Sequence, residues 1–355
     1  MPKPITHIQK SLPPRTAALI ESPVNRRYLT GFASSYGHLL ITQGGAVFLT
    51  DSRYIEAAQA SDTACPVEEI KAGRLRALCK QHGVRKILLE GACDLARARQ
   101  LRAMLPAVHF DLRSKKLELL LRNLRVCKSP REIEHIKAAQ AIAEQAFEHI
   151  LGRITPGVSE RELALELDYF MLRHGAEALS FETIVAAGEN GSRPHAVPGE
   201  HKLRRGDLIT MDFGAVVNGY HSDMTRTVAL GEPDANAREI YETVLAAQEA
   251  ALAAIKPGVP CKEVDAAARE VIERTGYGEH FRHGTGHGVG LEIHEEPRLS
   301  KQSEDVLRPG MVVTVEPGIY LPGQCGVRIE DMAVITETGC ENLTKTTKEF
   351  LYAGC

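Results

Sequence analysis

The stretch DLITMDFGAVVNGYHSDMTRTVAL, residues 207–230, contains two strand-like runs that flank the dipeptide Asn218-Gly219. An Asn-Gly pair between apolar runs predicts a two-residue type I′ hairpin loop, because both central positions of that turn need a positive φ. The loop length sets the register, so Val217 should face Tyr220 across the hairpin. This stretch therefore predicts an antiparallel β-hairpin.

The same register predicts which side chains share one face of the hairpin. Asp212 falls opposite Thr225 and Gly214 falls opposite Asp223, and counting by twos places all four on one side. Diagonal neighbours have Cα atoms about 7–8 Å apart, so the two aspartates should lie close together. Gly214 should leave room for an ion beside Asp223. Two like charges this close are costly without a cation, which favours a metal site.

Further candidate site residues occur later in the chain. His287 and His294 lie in the glycine-rich stretch HGTGHGVGLEIHEEP, residues 283–297, where the glycines should let the backbone approach a bound group closely. Glu316 and Glu330 interrupt the apolar runs MVVTVEPGIY and GVRIEDMAVIT. A carboxylate inside such a run needs a partner.

The charges of this set indicate two metal ions. Four carboxylates would neutralise two divalent cations, so metal rather than Lys or Arg should balance them. The oxygen-rich set favours harder ions such as Mn²⁺, with Co²⁺, Fe²⁺ and Zn²⁺ as alternatives. Two such ions can deprotonate a shared water and polarise a carbonyl. Arg328 can instead partner Glu330, which would make that carboxylate structural.

The larger, later part of the chain contains an internal repeat. The two pairs of similar segments are offset by 101 and 104 residues, so the two halves are nearly in register, and Asp212 aligns with Glu316. This pattern predicts a duplicated α+β domain with a site at the seam between its halves. The aligned segments are LGRITPGVSERELALEL from Leu151 with LAAIKPGVPCKEVDAAA from Leu252, and LRRGDLITMDFG from Leu203 with LRPGMVVTVEPG from Leu307.

Two capping boxes mark helix starts in this repeated part. Ser129 precedes Glu132 by three residues, and Ser159 precedes Glu162 by the same spacing. In such a box each residue's side chain bonds the other's backbone N–H. Helices should therefore begin just after the two serines.

The first third of the chain alternates short strand and helix patterns, which is typical of a small α/β unit. HLLIT and AVFLT flank a glycine-containing turn at residues 43–45 and predict a hairpin. The leucine-rich, basic segment 115–127 should connect this unit to the repeated part. The domain boundary is therefore predicted in the low 120s.

Composition excludes several classes of protein. The 43 basic and 46 acidic residues leave a net charge of −3, which gives no electrostatic reason to expect nucleic acid or an acidic membrane as a partner. No apolar run approaches the ~18 residues of a membrane span, and the first residues lack the apolar core of a secretory signal. The eight cysteines form no C-x-x-C pair. They suit reduced thiols, so a cytoplasmic location is expected.

Taken together, these motifs resemble the pita-bread metallopeptidases, which include methionine aminopeptidase, aminopeptidase P and prolidase. NRRYLTGFASSYGHLL and VFLTDSRY in the first third resemble the smaller domain of the proline-peptidase branch, which methionine aminopeptidases lack. The resemblance implies an α+β fold in which a duplicated pita-bread catalytic domain, residues 124–355, follows a smaller α/β, creatinase-type domain, residues 1–123.

The resemblance also implies a role for each site residue. His195, in SRPHAVPG, would contact the substrate near the scissile bond, His294 would stabilise the carbonyl oxyanion, and Arg298 would bind a substrate carboxylate. Glu316 would assist proton transfer to the leaving nitrogen, so His195, His294 and Glu316 are the implied catalytic residues. The family's D…D…H…E…E ligand pattern for two metal ions, Mn²⁺ or Co²⁺ first, is met by Asp212, Asp223, His287, Glu316 and Glu330.

The implied activity is hydrolysis of a peptide bond that precedes proline. An Xaa-Pro dipeptidase, or prolidase, is the first hypothesis, with a small peptide that has proline second as its substrate. Aminopeptidase P, which acts on longer peptides, is the alternative. Some relatives keep the fold as non-catalytic binding proteins, but the presence of all five ligand residues argues against that. A homodimer is expected from the relatives.

Overall fold

The structure is a computed structural model that describes residues 4–91 and 93–354. The chain divides into two compact units, one that ends at Arg125 and one that starts at Val126.

The first unit contains one six-stranded sheet with helices on both faces. Its strands follow the order β4-β3-β2-β1-β5-β6, and β2 and β3 form the predicted hairpin, with Thr42 opposite Gly45. Its elements are α1 Pro4–Ser11, β1 Thr16–Ile20, α2 Pro23–Thr30, β2 His38–Thr42, β3 Gly45–Thr50, α3 Ile55–Ala60, β4 Val67–Glu69, α4 Arg74–Gln81, β5 Lys86–Leu89, α5 Leu95–Met104, β6 His109–Asp111 and α6 Lys115–Val126.

Strand β1 shows how this sheet is covered on both faces. All five of its residues are buried, and alternate side chains enter different apolar clusters. Ala18 and Ile20 pack with α1 and α6, whereas Ala17 and Leu19 pack with α4 and α5. A strand buried on both faces is apolar throughout rather than alternating.

The second unit contains two helix pairs and two main sheets. The sheets have the orders β20-β12-β9-β8 and β14-β13-β15-β18-β19. Its elements are α7 Pro130–Leu151, α8 Glu160–Arg173, β7 Ala178–Leu179, β8 Ile184–Ala187, β9 Leu208–Phe213, β10 Ala215–Val217, β11 Tyr220–His221, β12 Met224–Leu230, α9 Ala235–Ala254, α10 Cys261–Arg274, β13 Gly286–Gly288, β14 Glu295–Leu299, β15 Val312–Val315, β16 Gly318–Leu321, β17 Cys325–Arg328, β18 Asp331–Ile335, β19 Cys340–Asn342 and β20 Tyr352–Ala353.

The predicted duplication is confirmed by contacts that recur in both halves of this unit. Helices α8 and α10 both contain 14 residues. Just before each helix, an isolated β-bridge pairs one residue with the segment that leads into the next sheet. The first residues of the two bridges are 101 residues apart in sequence, and their partners are 104 residues apart. These bridges are Ser159 with Lys202 and Pro260 with Val306.

The hairpin at residues 207–230 has the predicted register. Val217 pairs with Tyr220 and Asp212 pairs with Thr225. The turn residues Asn218 and Gly219 have φ values of 50° and 76°, as a type I′ loop requires. Because alternate residues of β9 pack against α7 and α8, Asp212 points toward the second half of the unit.

The expected role of Gly214 was wrong. A Cβ at this position would lie 2.0 Å from the carbonyl oxygen of Ser222. The glycine therefore makes room for the backbone of the facing strand rather than for an ion beside Asp223. The hairpin is interrupted at this point, and β10 and β11 continue in a separate three-stranded sheet with β7.

Both predicted capping boxes are present. Ser129 and Glu132 cap α7, and Ser159 and Glu162 cap α8. In each box the serine side chain accepts from the backbone N–H of the glutamate, and the glutamate side chain accepts from the backbone N–H of the serine. These bonds fix the first turn of each helix, where backbone donors have no partner within the helix.

Within the described residues, each helix is too short or too polar to cross a lipid bilayer. The seven described cysteines are free thiols, whereas Cys355 lies outside the described residues.

Candidate metal centre

Five acidic and histidine side chains, each on a strand or directly beside one, converge between the two halves of the second unit. Asp212 comes from β9, and Asp223 directly precedes β12. His287 is the central residue of β13, Glu316 directly follows β15, and Glu330 directly precedes β18. The hairpin register already predicted that Asp212 and Asp223 lie close together, and the sheets bring the other three residues to the same place.

Three of these residues form a tight buried cluster. One ligand atom from each of Asp223, His287 and Glu330 lies within 4.8 Å of the others. His287 Nε2 lies 3.6 Å from an oxygen of Asp223 and 3.3 Å from an oxygen of Glu316. Three of the five predicted ligands therefore share one position, and Glu316 adjoins them at His287. Asp212 is close enough for its charge to raise the pKa of Asp223.

His287 has a neutral ring that can offer a lone pair to a metal ion. Burial lowers its pKa to about 3, so its ring is uncharged near neutral pH. Its Nδ1 lies 3.1 Å from the carbonyl oxygen of Gly288, which fits a proton on that nitrogen. Nε2 then carries the lone pair, and it is the atom that faces the carboxylates.

The carboxylates destabilise one another in the absence of metal. Burial, followed by the charges of Glu330, Asp212 and Glu316, raises the pKa of Asp223 well above its usual range. Burial, followed by the charges of Glu316 and Asp212, does the same for Glu330. Burial raises the pKa of Glu316 to about 7, against the opposing charge of Arg328.

These residues fit divalent metal ions. Asp212 Oδ1 is buried and accepts no hydrogen bond from the described residues, although a buried carboxylate oxygen ordinarily has a partner. Crowded carboxylates, a free oxygen and one neutral imidazole form the donor set that hard or borderline cations prefer. A cation among them would remove the repulsion that raises the carboxylate pKa values.

Arg328 pairs with Asp212 rather than with Glu330, so the alternative in which Arg328 makes Glu330 a structural carboxylate was wrong. Glu330 instead accepts from Thr225 Oγ1 at 2.7 Å. Arg328 is also a buried cation inside the carboxylate cluster, so the prediction that metal alone balances these charges was wrong as well. The Arg328 guanidinium donates to Asp212 Oδ2 (2.6 Å), Tyr320 Oη (2.9 Å), Thr225 Oγ1 (3.1 Å) and the carbonyl oxygen of Pro194 (3.3 Å).

Sequence reasoning missed two further residues of this network, Tyr320 and Thr314. Tyr320 Oη lies 3.0 Å from His283 Nε2 and links that ring to Arg328. Thr314 Oγ1 donates to Glu316 at 3.0 Å and accepts from the backbone N–H of His287 at 3.0 Å. No motif identifies these residues, although the hairpin register did place Thr225 beside Asp212.

The predicted substrate-contacting residues lie at the exposed side of the cluster. His195, His294 and Arg298 are all exposed. The ring centroid of His294 is 4.4 Å from that of His287, and Arg298 is the cross-strand partner of His287 between β13 and β14. Burial, followed by the positive charges of Arg298 and His195, lowers the pKa of His294. His294 is therefore within electrostatic reach of both Arg298 and His195.

The glycines around His287 pack against protein rather than a bound group, contrary to expectation. A Cβ on Gly286 would lie 2.0 Å from the carbonyl oxygen of Thr314, and one on Gly288 would lie 2.3 Å from that of Glu296. A Cβ on Gly290 would lie 2.7 Å from the carboxylate of Glu295. These glycines allow the backbones of β14 and β15 to approach His287 closely.

Replacing Glu316 with glutamine should stabilise the metal-free protein at pH 8 but not at pH 5. The folded protein holds the pKa of Glu316 at about 7, against 4.5 ordinarily. A raised carboxyl pKa adds stability that is complete below pH 4.5 and is lost as the pH rises through 7. The neutral variant does not suffer this loss. Thermal unfolding of chelator-treated protein should show a gap on the order of 5 °C at pH 8.

The buried histidines titrate in both proteins, so their contributions cancel in the difference between the two melting temperatures. If the melting-temperature difference stays constant from pH 5 to pH 8, the pKa of Glu316 is not raised in the folded protein. Adding Mn²⁺ at pH 8 should favour the wild type, since a bound ion stabilises only the protein that binds it tightly.

Comparison with known proteins agrees with this fold. The pattern of metallopeptidase family M24 matches residues 134–337, and that of the creatinase/prolidase N-terminal domain matches residues 16–127. The chain belongs to metallopeptidase family M24, in its proline-peptidase branch. The duplicated pita-bread domain with a creatinase-type domain before it is thereby confirmed, and the family implies that divalent metal ions act at the site.

Individual relatives match over nearly the whole chain. An Xaa-Pro dipeptidase from Pyrococcus furiosus is 41% identical over 335 residues, which cover 94% of each protein. The solved structure of an Xaa-Pro dipeptidase from Bacillus anthracis has a TM-score of 0.93 and 40% identity, and covers 98% of this chain and 99% of that one. An X-Pro aminopeptidase from Thermotoga maritima has a TM-score of 0.90 and 37% identity, with 98% and 100% covered.

Proposed function

We propose that this chain is a metal-dependent Xaa-Pro dipeptidase, which hydrolyses the bond between a first residue and a proline. The position of Arg298 carries the proposal. It is an exposed cation directly across the strand pair from buried His287, where it can bind the free carboxylate of a dipeptide while the ligand cluster meets the scissile bond. The similarity of this chain to the Xaa-Pro dipeptidases from P. furiosus and B. anthracis supports the same reaction.

The metal ions would be held by the five converging side chains. When bound, two divalent ions lower the pKa of water and polarise a carbonyl. Mn²⁺ and Co²⁺ are the proposed ions, with Zn²⁺ and Fe²⁺ as alternatives, because the set has many carboxylates and one imidazole. The proposed ligands are Asp212, Asp223, His287, Glu316 and Glu330.

The remaining site residues would bind the substrate and move protons. The lowered pKa of His294 keeps its ring neutral near pH 7, with one N–H free to donate to the carbonyl oxygen as negative charge develops there. Glu316 would carry a proton from water to the leaving imino nitrogen, which a tertiary amide must receive before it departs. His195 would contact the substrate near the scissile bond.

An Xaa-Pro aminopeptidase is the second candidate. The T. maritima X-Pro aminopeptidase is nearly as similar to this chain as the dipeptidases are. The two activities differ in whether residues may follow the proline. The same ligand cluster serves both reactions, so only the recognition of the substrate's carboxyl end separates them.

Ala-Pro should be cleaved at least about 10-fold more efficiently than Ala-Pro-Ala by protein loaded with Mn²⁺ or Co²⁺. The reason is that only the dipeptide places a free carboxylate next to its proline, within reach of Arg298. A charged hydrogen bond contributes about 1.5–3 kcal/mol, which corresponds to roughly 10–100-fold. Initial rates with Ala-Pro, Ala-Pro-amide and Ala-Pro-Ala would measure this preference.

The variant Arg298→Gln controls for the source of the preference. It should raise KM for Ala-Pro and leave cleavage of Ala-Pro-amide nearly unchanged, whereas Arg282→Gln, at another exposed arginine, should change neither. Rapid cleavage of Ala-Pro-Ala by the wild type would favour the aminopeptidase. A metal-loaded protein that cleaves none of the three would point to a binding protein of the same fold.

Three further parts of the proposal concern organisation. We propose that residues 1–123 form the creatinase-type domain and residues 124–355 the catalytic domain, which the division at Arg125 supports. A homodimer and a cytoplasmic location are proposed from the relatives and from the scattered cysteines, respectively.

A further inference from the structure

Residues 188–199, which we call the His195 loop, lie between β8 and β9 and carry an exposed histidine on irregular backbone. The loop begins with a 3₁₀ turn, Gly188–Ser192, and contains few bonds of its own. The N–H of Arg193 donates to the carbonyl of Asn190, and that of Ala196 donates to the carbonyl of Arg193. Such a loop needs anchors outside itself to hold His195 in one place.

Glu160 supplies an anchor at both ends of the His195 loop. Its Oε1 accepts from the backbone N–H of Ala187 at 2.8 Å and from Asn190 Nδ2 at 3.0 Å. Its Oε2 accepts from the backbone N–H of Gly199 at 3.1 Å. Glu160 is 1% exposed and opens helix α8, where the helix dipole favours a negative charge. One buried carboxylate thus closes the loop.

The internal repeat shows that the helix itself does not require this carboxylate. Position 160 corresponds to Cys261, which opens α10 and is fully buried in an apolar cluster. The backbone contact is the same in both halves. The backbone N–H of Glu160 donates to the carbonyl oxygen of His201 at 3.1 Å, and that of Cys261 donates to the carbonyl oxygen of Asp305 at 2.9 Å. The carboxylate occurs only in the half that carries the His195 loop.

The middle of the His195 loop contacts β17, the strand that ends at Arg328 beside the metal centre. A Cβ on Gly191 would lie 3.1 Å from the backbone nitrogen of Gly326 in β17, so the two backbones are in close contact there. Arg328, which holds Asp212, also donates to the carbonyl oxygen of Pro194. The loop is therefore fixed at its ends by Glu160 and in its middle by the group that orders a candidate ligand.

We propose that Glu160 is a positioning residue for the peptidase reaction, which orients His195 through the closure of its loop. This inference rests on the proposed function, because His195 matters only if a substrate is bound beside it. The hydrogen bonds of the Glu160 carboxylate go to the two ends of the loop, at Ala187, Asn190 and Gly199. Its effect should be on substrate turnover and not on metal content.

The test compares Glu160→Ala and Glu160→Gln with the matched control Glu162→Gln. Glu162 lies in the same first turn of α8, but its carboxylate accepts hydrogen bonds from Ser159 and Lys202, outside the loop. Hydrogen exchange measured by mass spectrometry should rise at least about 10-fold across residues 187–199 in Glu160→Ala. Glu160→Gln, which keeps the shape and one acceptor oxygen, should show a smaller rise. Glu162→Gln should show none in the loop.

Peptidase assays on the same proteins supply the second readout. With two metal ions bound, kcat for Ala-Pro should fall about 10–100-fold in Glu160→Ala, as expected for a misplaced catalytic group, and less in Glu160→Gln. Faster loop exchange with unchanged kcat would overturn the proposal, as would unchanged exchange in both Glu160 variants. If the wild type cleaves no Xaa-Pro peptide, the proposed function fails, while the exchange data still show whether Glu160 holds the loop.

Discussion

Replacing Asp223 with asparagine should abolish metal loading and peptidase activity without destabilising the metal-free protein. Asp223 is 5% exposed, and its ligand atom lies within 4.8 Å of those of His287 and Glu330. Asparagine keeps the shape but loses the negative charge and one acceptor oxygen. Loss of a partner outside the ligand set costs about 10–100-fold in metal affinity, so loss of a ligand should exceed about 100-fold.

The stability half of this prediction follows from repulsion. In the metal-free protein, burial and three neighbouring carboxylates raise the pKa of Asp223, so its ionised form is unfavourable in the fold. The neutral variant escapes that penalty and should melt at the same temperature as the metal-free wild type, or higher. Elemental analysis measures metal loading, titration calorimetry with Mn²⁺ measures metal affinity, and thermal unfolding measures stability.

Asp168→Asn is the matched control for Asp223→Asn. Burial raises the pKa of Asp168 too, but this residue lies on α8 and is bonded to Thr183 at 2.5 Å. Its substitution should leave metal content and activity near those of the wild type. If Asp223→Asn binds two ions and keeps full activity, Asp223 is not a ligand.

Replacing Arg328 with methionine should lower both stability and activity, and the stability loss should be larger without metal. The guanidinium is buried and holds Asp212 at 2.6 Å. Removing one partner of a buried ion pair typically costs about 3–5 kcal/mol, because the other charge is left uncompensated. Metal supplies Asp212 with another cation, so the loaded protein should lose less. Thermal unfolding with and without Mn²⁺ measures the difference.

The expected loss of activity has an electrostatic cause. Four carboxylates and two divalent ions are neutral together, and Arg328 adds one positive charge beside them. A positive charge at this place favours the negative charge that develops on the substrate carbonyl oxygen during hydrolysis. Arg328→Met should therefore lower kcat even when fully loaded with metal.

Arg328→Lys separates the charge of this residue from its geometry. Lysine keeps the charge but cannot reproduce the several directed bonds of a guanidinium, so it should recover part of the stability and part of the activity. Equal behaviour of the lysine and methionine variants would show that charge is not the reason. If Arg328→Met is as stable as the wild type both with and without metal, the ion-pair explanation is wrong.

Local signals made much of the fold predictable. The Asn218-Gly219 turn sets a register that the structure reproduces from Val217 down to Asp212. The capping boxes at Ser129 and Ser159 start two helices where expected. These features depend on neighbours a few residues apart, and sequence records such contacts directly.

The sequence by itself therefore determined the hairpin, the helix starts, the duplication and the residue types available for a metal centre. Only the tertiary structure decided which charges face which. Arg328 lies two residues from Glu330 in sequence, yet it binds Asp212, 116 residues away. Glu160 and the His195 loop are likewise joined only when α8 packs beside β8. Buried charges are satisfied by whatever the fold brings within hydrogen-bonding distance, and that choice is made by packing between strands and helices that are distant in sequence.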